Sequence, residues 1–160
     1  MKTLEQLKGM DEARFFDIYR SLENKGFGPL DAEVARALKF RPHAIKKLPM
    51  EQRARRARAL LERTSNADLA YELFGSYLVH TRKDLVTEFL DATGVPHEDG
   101  ILASDQARPD PTKLEEAISA LDGKHAPEDV TLYLAICAQQ WPDAPELESL
   151  LRARSSAPGP

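Results

Sequence analysis

Apolar residues recur along this chain at helical spacing, whereas the alternation that marks β-strands is almost absent. A clear case is Phe15, Ile18, Tyr19 and Leu22, which follow an i, i+3, i+4, i+7 pattern. Proline and glycine residues divide the pattern into segments of modest length, because neither continues a helix easily. The sequence therefore predicts an all-α fold, either an irregular multi-helix bundle or a short stack of antiparallel helical hairpins.

Individual helices are predicted where an apolar stripe lies between a capping residue and a helix-ending glycine or proline. Two of them, those that end at His80 and Gln140, carry apolar residues around most of their circumference and are expected to be buried. The predicted segments are Asp11–Lys25, a short helix after Pro29, His43–Leu48, Met50–Arg63, a helix capped by Ser65 or Asn66 that runs to His80, Asp84–Thr93, a helix capped by Thr112 that ends at Gly123, Pro127–Gln140, and a short helix from Pro145.

The length of 160 residues predicts a single helical domain over residues 1–154 with a flexible tail over 155–160. Cys137 is the only cysteine, so no intramolecular disulfide forms, which agrees with a reducing compartment. The first residues lack the apolar core of a signal peptide, and no apolar run is long enough for a membrane helix. We therefore expect a cytoplasmic protein with no membrane partner.

Charge is distributed very unevenly between the two halves of the chain. Residues 1–83 carry 17 Lys+Arg and 11 Asp+Glu, a net charge of +6, whereas residues 84–160 carry 5 and 15, a net charge of −10. Nine of the basic residues lie between Lys39 and Arg63. Such a cluster raises the local potential and attracts anions, so the basic half predicts a surface for a negatively charged partner.

The predicted helix Met50–Arg63 holds the densest part of this cluster. Met50, Ala54, Ala57 and Leu61 form a narrow apolar stripe, whose small residues allow a close approach to a neighbouring helix. Arginine suits the binding of carboxylate or phosphate because its planar guanidinium donates paired hydrogen bonds. The arginines that spread over the rest of the circumference are Arg53, Arg55, Arg56, Arg58 and Arg63.

The sequence favours a non-enzymatic interaction or adaptor module that binds an acidic protein surface, or another copy of itself, through this basic region. The residues predicted to contact the partner are Arg41, Lys46, Lys47, Arg53, Arg55, Arg56 and Arg58. A nucleic-acid-associated factor that contacts phosphates through the same residues is the alternative, although no aromatic residue lies between Arg41 and Arg63 to stack on bases. The arginines can also be explained by ion pairs with the acidic half of the same molecule.

No catalytic, cofactor-binding or metal-binding residue is assigned. His97, Glu98 and Asp99 have side chains of the metal-ligating type, but adjacent loop residues rarely converge on one ion. Cys137 lies within a predicted apolar helix and is expected to be a buried small residue. Residues 95–111 are predicted to be a long loop, which would be the lid or wall of a site if the protein were an enzyme. Trp141 is assigned to core packing.

Overall fold

The computed structural model describes residues 2–24, 36, 47–104 and 107–156, which form two compact units, Met1–Tyr77 and Leu78–Pro160. Apart from one two-stranded hairpin, the regular structure in these ranges is helical, so the prediction of an all-α, multi-helix fold is confirmed. The helices are α1 (Lys2–Gly9), α2 (Glu12–Asn24), α3 (Met50–Thr64), α4 (Ala67–Thr81), α5 (Lys83–Ala92), a 3-10 helix (Pro111–Lys113), α6 (Leu114–Asp122), α7 (Pro127–Gln140) and α8 (Pro145–Ser156).

The boundaries of the longer helices agree closely with the sequence prediction. Helix α3 extends one residue past the predicted Arg63, and its C-cap Ser65 has a φ of 50°. Asn66 is the cap of α4, since its side-chain oxygen accepts the amide hydrogen of Leu69 at 3.0 Å. The short helices predicted after Pro29 and over His43–Leu48 lie almost wholly outside the described residues.

In the first unit, helix α3 packs against both α2 and α1. Its predicted stripe is buried at Ala54, Ala57 and Leu61, while Met50 stays half-buried at the start of the helix. The predicted apolar face of α2 is buried along its whole length. The small side chains on α3 thus face a continuous apolar surface, which leaves the wider side of α3 to its polar residues.

Helix α1 is not foreseen in the sequence. Its apolar content is limited to Leu4 and Leu7, which are both buried, and the helix is only eight residues long. Isolated helices of this length are marginal in water, so α1 depends on tertiary packing more than on its own residues.

In the second unit, α7 is the central helix and packs against α6 and α8, while α5 packs against α6. The prediction that α7 is buried on opposite faces is confirmed, since Val130, Leu132, Leu134 and Ile136 are all shielded from solvent. Phe89 of α5 is among the largest fully buried side chains of the described chain. These contacts place the core of this unit around α7.

Arg154 joins the three last helices of the second unit. Its guanidinium donates two hydrogen bonds to the Asp122 carboxylate, at 2.7 and 2.9 Å. It also donates to the Thr131 hydroxyl at 2.9 Å and to the Pro127 carbonyl at 3.1 Å. A bidentate pair of this geometry fixes the orientation of the end of α8 toward α6 and α7.

The prediction that residues 95–111 lack regular structure is wrong over part of that stretch. Strands β1 (His97–Glu98) and β2 (Ile101–Leu102) form an antiparallel hairpin, with Glu98 opposite Ile101. The two connecting residues, Asp99 and Gly100, have φ angles of 54° and 89°. Positive φ at both positions is characteristic of the tight type I′ turn, for which Asp-Gly is a preferred sequence.

A second correction concerns the start of the helix predicted to be capped by Thr112. The capping residue is Asp110, whose carboxylate accepts the Thr112 amide at 3.0 Å and the Thr112 hydroxyl at 2.8 Å. These hydrogen bonds lower the pKa of Asp110 because they stabilise its ionised form. The chain therefore enters a 3-10 turn at Pro111 before α6 begins at Leu114.

Replacing Gly100 by alanine is expected to lower the free energy of unfolding by about 1–2 kcal/mol, because an L-residue is strained at this φ. The added Cβ would also lie 3.3 Å from a methyl group of Val86. The control is Gly123→Ala, where φ is −76° and the nearest atom is 3.5 Å away. Urea denaturation followed by circular dichroism should show a lower free energy of unfolding for Gly100→Ala and an almost unchanged one for Gly123→Ala. Equal effects would contradict the turn assignment.

Candidate interaction surface on helix α3

The residues predicted to bind a partner differ widely in their environments. Lys47, Arg55 and Arg56 are exposed, whereas Arg53 and Arg58 are half-buried. Arg41 and Lys46 lie outside the described residues. The contacts of each arginine on α3 therefore decide which guanidinium groups can meet another molecule.

Arg53 is engaged in an ion pair within the first unit. Its guanidinium donates to the Glu23 carboxylate on α2 at 3.0 Å, and the two side chains are only 11% and 14% exposed. A second nitrogen lies 3.4 Å from the sulfur of Met50. The pair connects α2 to α3 and is largely shielded from water.

Arg58 connects helix α3 to the end of α1. Its guanidinium donates to the backbone carbonyls of Leu7, at 2.8 Å, and of Met10. It also donates to Glu62 at 3.1 Å, and it lies over the Phe15 ring at 5.7 Å from the centroid. The Leu7 carbonyl lies in the last turn of α1 and the Met10 carbonyl just after it, where backbone acceptors lack partners within the helix. Arg58 therefore acts as a structural cap for α1.

Arg55 forms an ion pair that remains open to solvent. Its Nε lies 2.6 Å from a carboxylate oxygen of Glu12, and the two side chains are 63% and 68% exposed. This hydrogen bond raises the pKa of Arg55 because it stabilises the charged guanidinium. Exposed pairs are weak, so an incoming carboxylate can compete for Arg55.

Arg56 and Arg63 are the free cations of helix α3. Both are exposed, and neither has an ion pair or hydrogen bond to another group in the part of the chain that the structure describes. They lie seven residues apart, which places them on one face about 10.5 Å apart along the helix axis. Gln52 and Ala59 share this exposed face. We call the face formed by Gln52, Arg56, Ala59 and Arg63 the outer stripe of α3.

The neutralising carboxylates are local. Within the described ranges, those that pair with arginines of α3 belong to Glu12, Glu23 and Glu62, which all lie in the basic half of the chain. Arg53, Arg55 and Arg58 therefore pair with carboxylates of the first unit. The local pairs cover one side of α3 and leave its outer stripe with an excess of positive charge.

A groove of about 460 Å³ runs between α2 and α3 on the paired side. Its apolar floor includes Phe15, Phe16 and Ala54, and Arg20 lies 5.5 Å from the centre of the Phe16 ring. Its charged rim consists of Glu12, Glu51, Arg55 and Arg58. Two acidic and two basic groups make this rim neutral, so the groove provides apolar surface without a preferred sign of charge.

The residues considered for catalysis or metal binding have structural contacts. His97 accepts the Gly100 amide hydrogen at Nδ1, 3.1 Å away, and its Nε2 lies 2.6 Å from the Asp91 carboxylate. Burial raises the pKa of the Cys137 thiol to about 12, so the thiolate nucleophile is not formed near neutral pH. Among the described residues, no three His, Cys, Asp or Glu side chains are grouped so that they could hold a metal ion.

The described helices are each too short or too polar to cross a lipid bilayer. Comparison of the chain with protein-family models, with curated proteins and with solved structures finds no match.

Arg63 was not among the residues predicted to contact a partner, although the structure places it beside Arg56 on the outer stripe. The signal in the sequence is the i, i+7 spacing of the two arginines, which puts them on one helical face. A count of basic residues does not reveal this shared face, because it does not distinguish one arginine of the helix from another.

Proposed function

We propose that this protein is a non-enzymatic helical interaction module that binds an acidic protein surface through the outer stripe of α3. The proposal is carried by one observation: Arg56 and Arg63 are exposed and free of polar partners within the described ranges, while Arg53 and Arg58 are engaged inside the unit. A pair of like charges on one face gains most when a negatively charged group comes to meet it.

The spacing of the two arginines indicates what a partner must provide. Two carboxylates about 10.5 Å apart would each meet one guanidinium, and acidic residues seven apart on a helix satisfy that distance. Ala59 lies between the arginines and allows the backbone of a partner to approach closely. Arg55 and Lys47 are exposed and would extend the contact at its edges.

The same geometry assigns a different role to the shielded arginines. We propose that Arg53 and Arg58 support the surface by holding α1 and α2 against α3, rather than by touching the partner. Arg41 and Lys46 remain predicted contacts outside the described residues. We propose the cytoplasm as the compartment, on the basis of the sequence arguments above.

The proposal is tested with a fluorescent alanine-rich helical peptide that carries two glutamates seven residues apart. We expect Arg56→Glu/Arg63→Glu to raise its dissociation constant at least about tenfold, because each attraction becomes a repulsion. The matched control is Lys8→Glu/Arg20→Glu, which changes the net charge equally at exposed positions of α1 and α2. The control should bind nearly as well as the natural sequence, with fluorescence anisotropy as the measurement.

Nucleic acid is the other outcome that this experiment must distinguish. Two free guanidinium groups neutralise about two phosphates. The logarithm of the affinity for duplex DNA should therefore fall with the logarithm of the salt concentration with a slope of only about −2. Tight, steeply salt-dependent DNA binding that disappears in Arg56→Glu/Arg63→Glu would favour the nucleic-acid alternative. Unchanged peptide binding in that variant would overturn the proposed surface.

A further inference from the structure

Helix α5 in the second unit presents an acidic face to solvent. Leu85, Val86, Phe89 and Leu90 are the buried residues of this helix. The opposite side carries Asp84, Thr87, Glu88 and Asp91, whose i, i+3, i+4, i+7 spacing places them on one face. We call these four residues the acidic face of α5.

The carboxylates at the two ends of this face are exposed, although only Asp91 has a basic partner in the described part of the chain. Asp84 is exposed, and its carboxylate has no ion pair with any residue in the described ranges. Asp91 is 72% exposed and lies 2.6 Å from Nε2 of His97. Because the other His97 nitrogen accepts the Gly100 amide hydrogen, Nε2 is the nitrogen that donates a hydrogen bond to the Asp91 carboxylate. This contact orients the carboxylate, and most of the Asp91 side chain stays open to solvent.

Glu88, in the middle of the face, already has basic neighbours. Its carboxylate oxygens lie 3.3 Å from His125 Nε2 and 3.9 Å from Lys124 Nζ. The charge that a partner would meet is therefore concentrated at Asp84 and Asp91.

The acidic face of α5 and the outer stripe of α3 match in spacing as well as in charge. Asp84 and Asp91 are seven residues apart, as are Arg56 and Arg63, so both pairs span about 10.5 Å along their helices. Each pair flanks a small or medium side chain, Ala59 on α3 and Thr87 on α5. Two such helices could lie side by side with both ion pairs formed.

The surface beside α5 has room for another helix. A groove of about 400 Å³ runs between α5 and α6, and its charged border consists of Glu88, Asp91 and Lys124, a net charge of −1. Its lining includes Ala92, Ala117 and Ala120, whose small side chains permit close approach of a helix backbone. The net charges of the two units also favour attraction between the first unit of one copy and the second unit of another. Residues 1–77 have a net charge of +4, and residues 78–160 have a net charge of −8.

We propose that the acidic partner of the outer stripe is a second copy of this chain, which contributes the acidic face of α5. This inference rests on the proposed function, because it uses the same stripe. The contact joins two different surfaces, so the association is heterologous, and an open assembly has an unused outer stripe at one end and an unused acidic face at the other.

The decisive experiment exchanges charges between the two surfaces. Light scattering after size exclusion at low salt should give the natural protein a mass above the 17.9 kDa of one chain, falling as salt is added. Arg56→Glu/Arg63→Glu and Asp84→Lys/Asp91→Lys should each raise the dissociation constant of self-association at least about tenfold. An equimolar mixture of the two variants should associate again, as should a single chain that carries all four substitutions.

The control for the acidic side is Glu115→Lys/Glu146→Lys, which makes the same charge change beside a separate groove. Its self-association should be retained, and circular dichroism should show that every variant is folded. A natural protein that stays monomeric at low salt and high concentration, or a mixture that fails to associate, would overturn the inference.

The two proposals fail in distinguishable ways. If the chain is monomeric but Arg56→Glu/Arg63→Glu no longer binds the glutamate peptide, the outer stripe is still the binding surface, and a second copy is excluded as its partner. If that variant keeps both the peptide and self-association, both proposals are wrong.

Discussion

Replacing Arg53 by methionine is expected to lower the free energy of unfolding by about 3 kcal/mol, because it leaves the carboxylate of Glu23 without its guanidinium partner. The two side chains are only 11% and 14% exposed, so water cannot fully replace the lost partner. Arg56→Met makes the same chemical change one turn of the helix away, at an exposed position. It should alter stability by no more than about 0.5 kcal/mol.

Urea denaturation followed by circular dichroism at 222 nm measures both variants. The double variant Arg53→Met/Glu23→Leu should recover part of the loss, because it removes the buried charge together with its partner. Equal stability of Arg53→Met and Arg56→Met would show that the arginines of α3 are not divided into structural and free groups.

The second large effect is expected at Trp141, at the end of α7. Its side chain is 2% exposed, and its indole nitrogen donates to the Ala107 carbonyl at 3.0 Å. Trp141→Ala should lower the free energy of unfolding by about 3–5 kcal/mol, because it removes a large buried ring and leaves a cavity. Trp141→Phe keeps an aromatic ring but loses the donor, so we expect a smaller loss of about 1–3 kcal/mol.

Thermal and urea unfolding of these variants should be compared with Ile101→Ala, which shortens a side chain that is 65% exposed. The Ile101 variant should remain within about 0.5 kcal/mol of the natural protein. A Trp141→Ala protein as stable as the Ile101 variant would contradict the assignment of Trp141 to the core.

Much of the fold could be predicted because a buried helix face repeats locally in the sequence. Helix α7 was predicted with its observed boundaries, Pro127–Gln140, since its apolar residues and flanking proline are contiguous. Helix α1 was missed because two leucines in eight residues do not form a recognisable stripe. The hairpin was missed because its strands are two residues long and show no alternation, although the Asp99-Gly100 pair signalled the turn.

The candidate site was predictable only in part. The cluster of arginines in α3 consists of residues close together in the sequence, so it can be recognised without a structure. Their ion-pair partners cannot be recognised in this way, because they are distant in the sequence. Glu23 lies 30 residues before Arg53, and Glu12 lies 43 residues before Arg55. Which guanidinium groups are left free depends on the packing of α2 against α3, and that packing is a tertiary property.

The most direct test of the outer stripe is a reversal of charge preference. Fluorescence anisotropy would compare the alanine-rich peptide with two glutamates against the same peptide with two lysines, for the natural protein and for Arg56→Glu/Arg63→Glu. We predict that the natural protein prefers the glutamate peptide and that the variant prefers the lysine peptide. An unchanged preference in the variant would contradict the assignment of Arg56 and Arg63 as the binding groups.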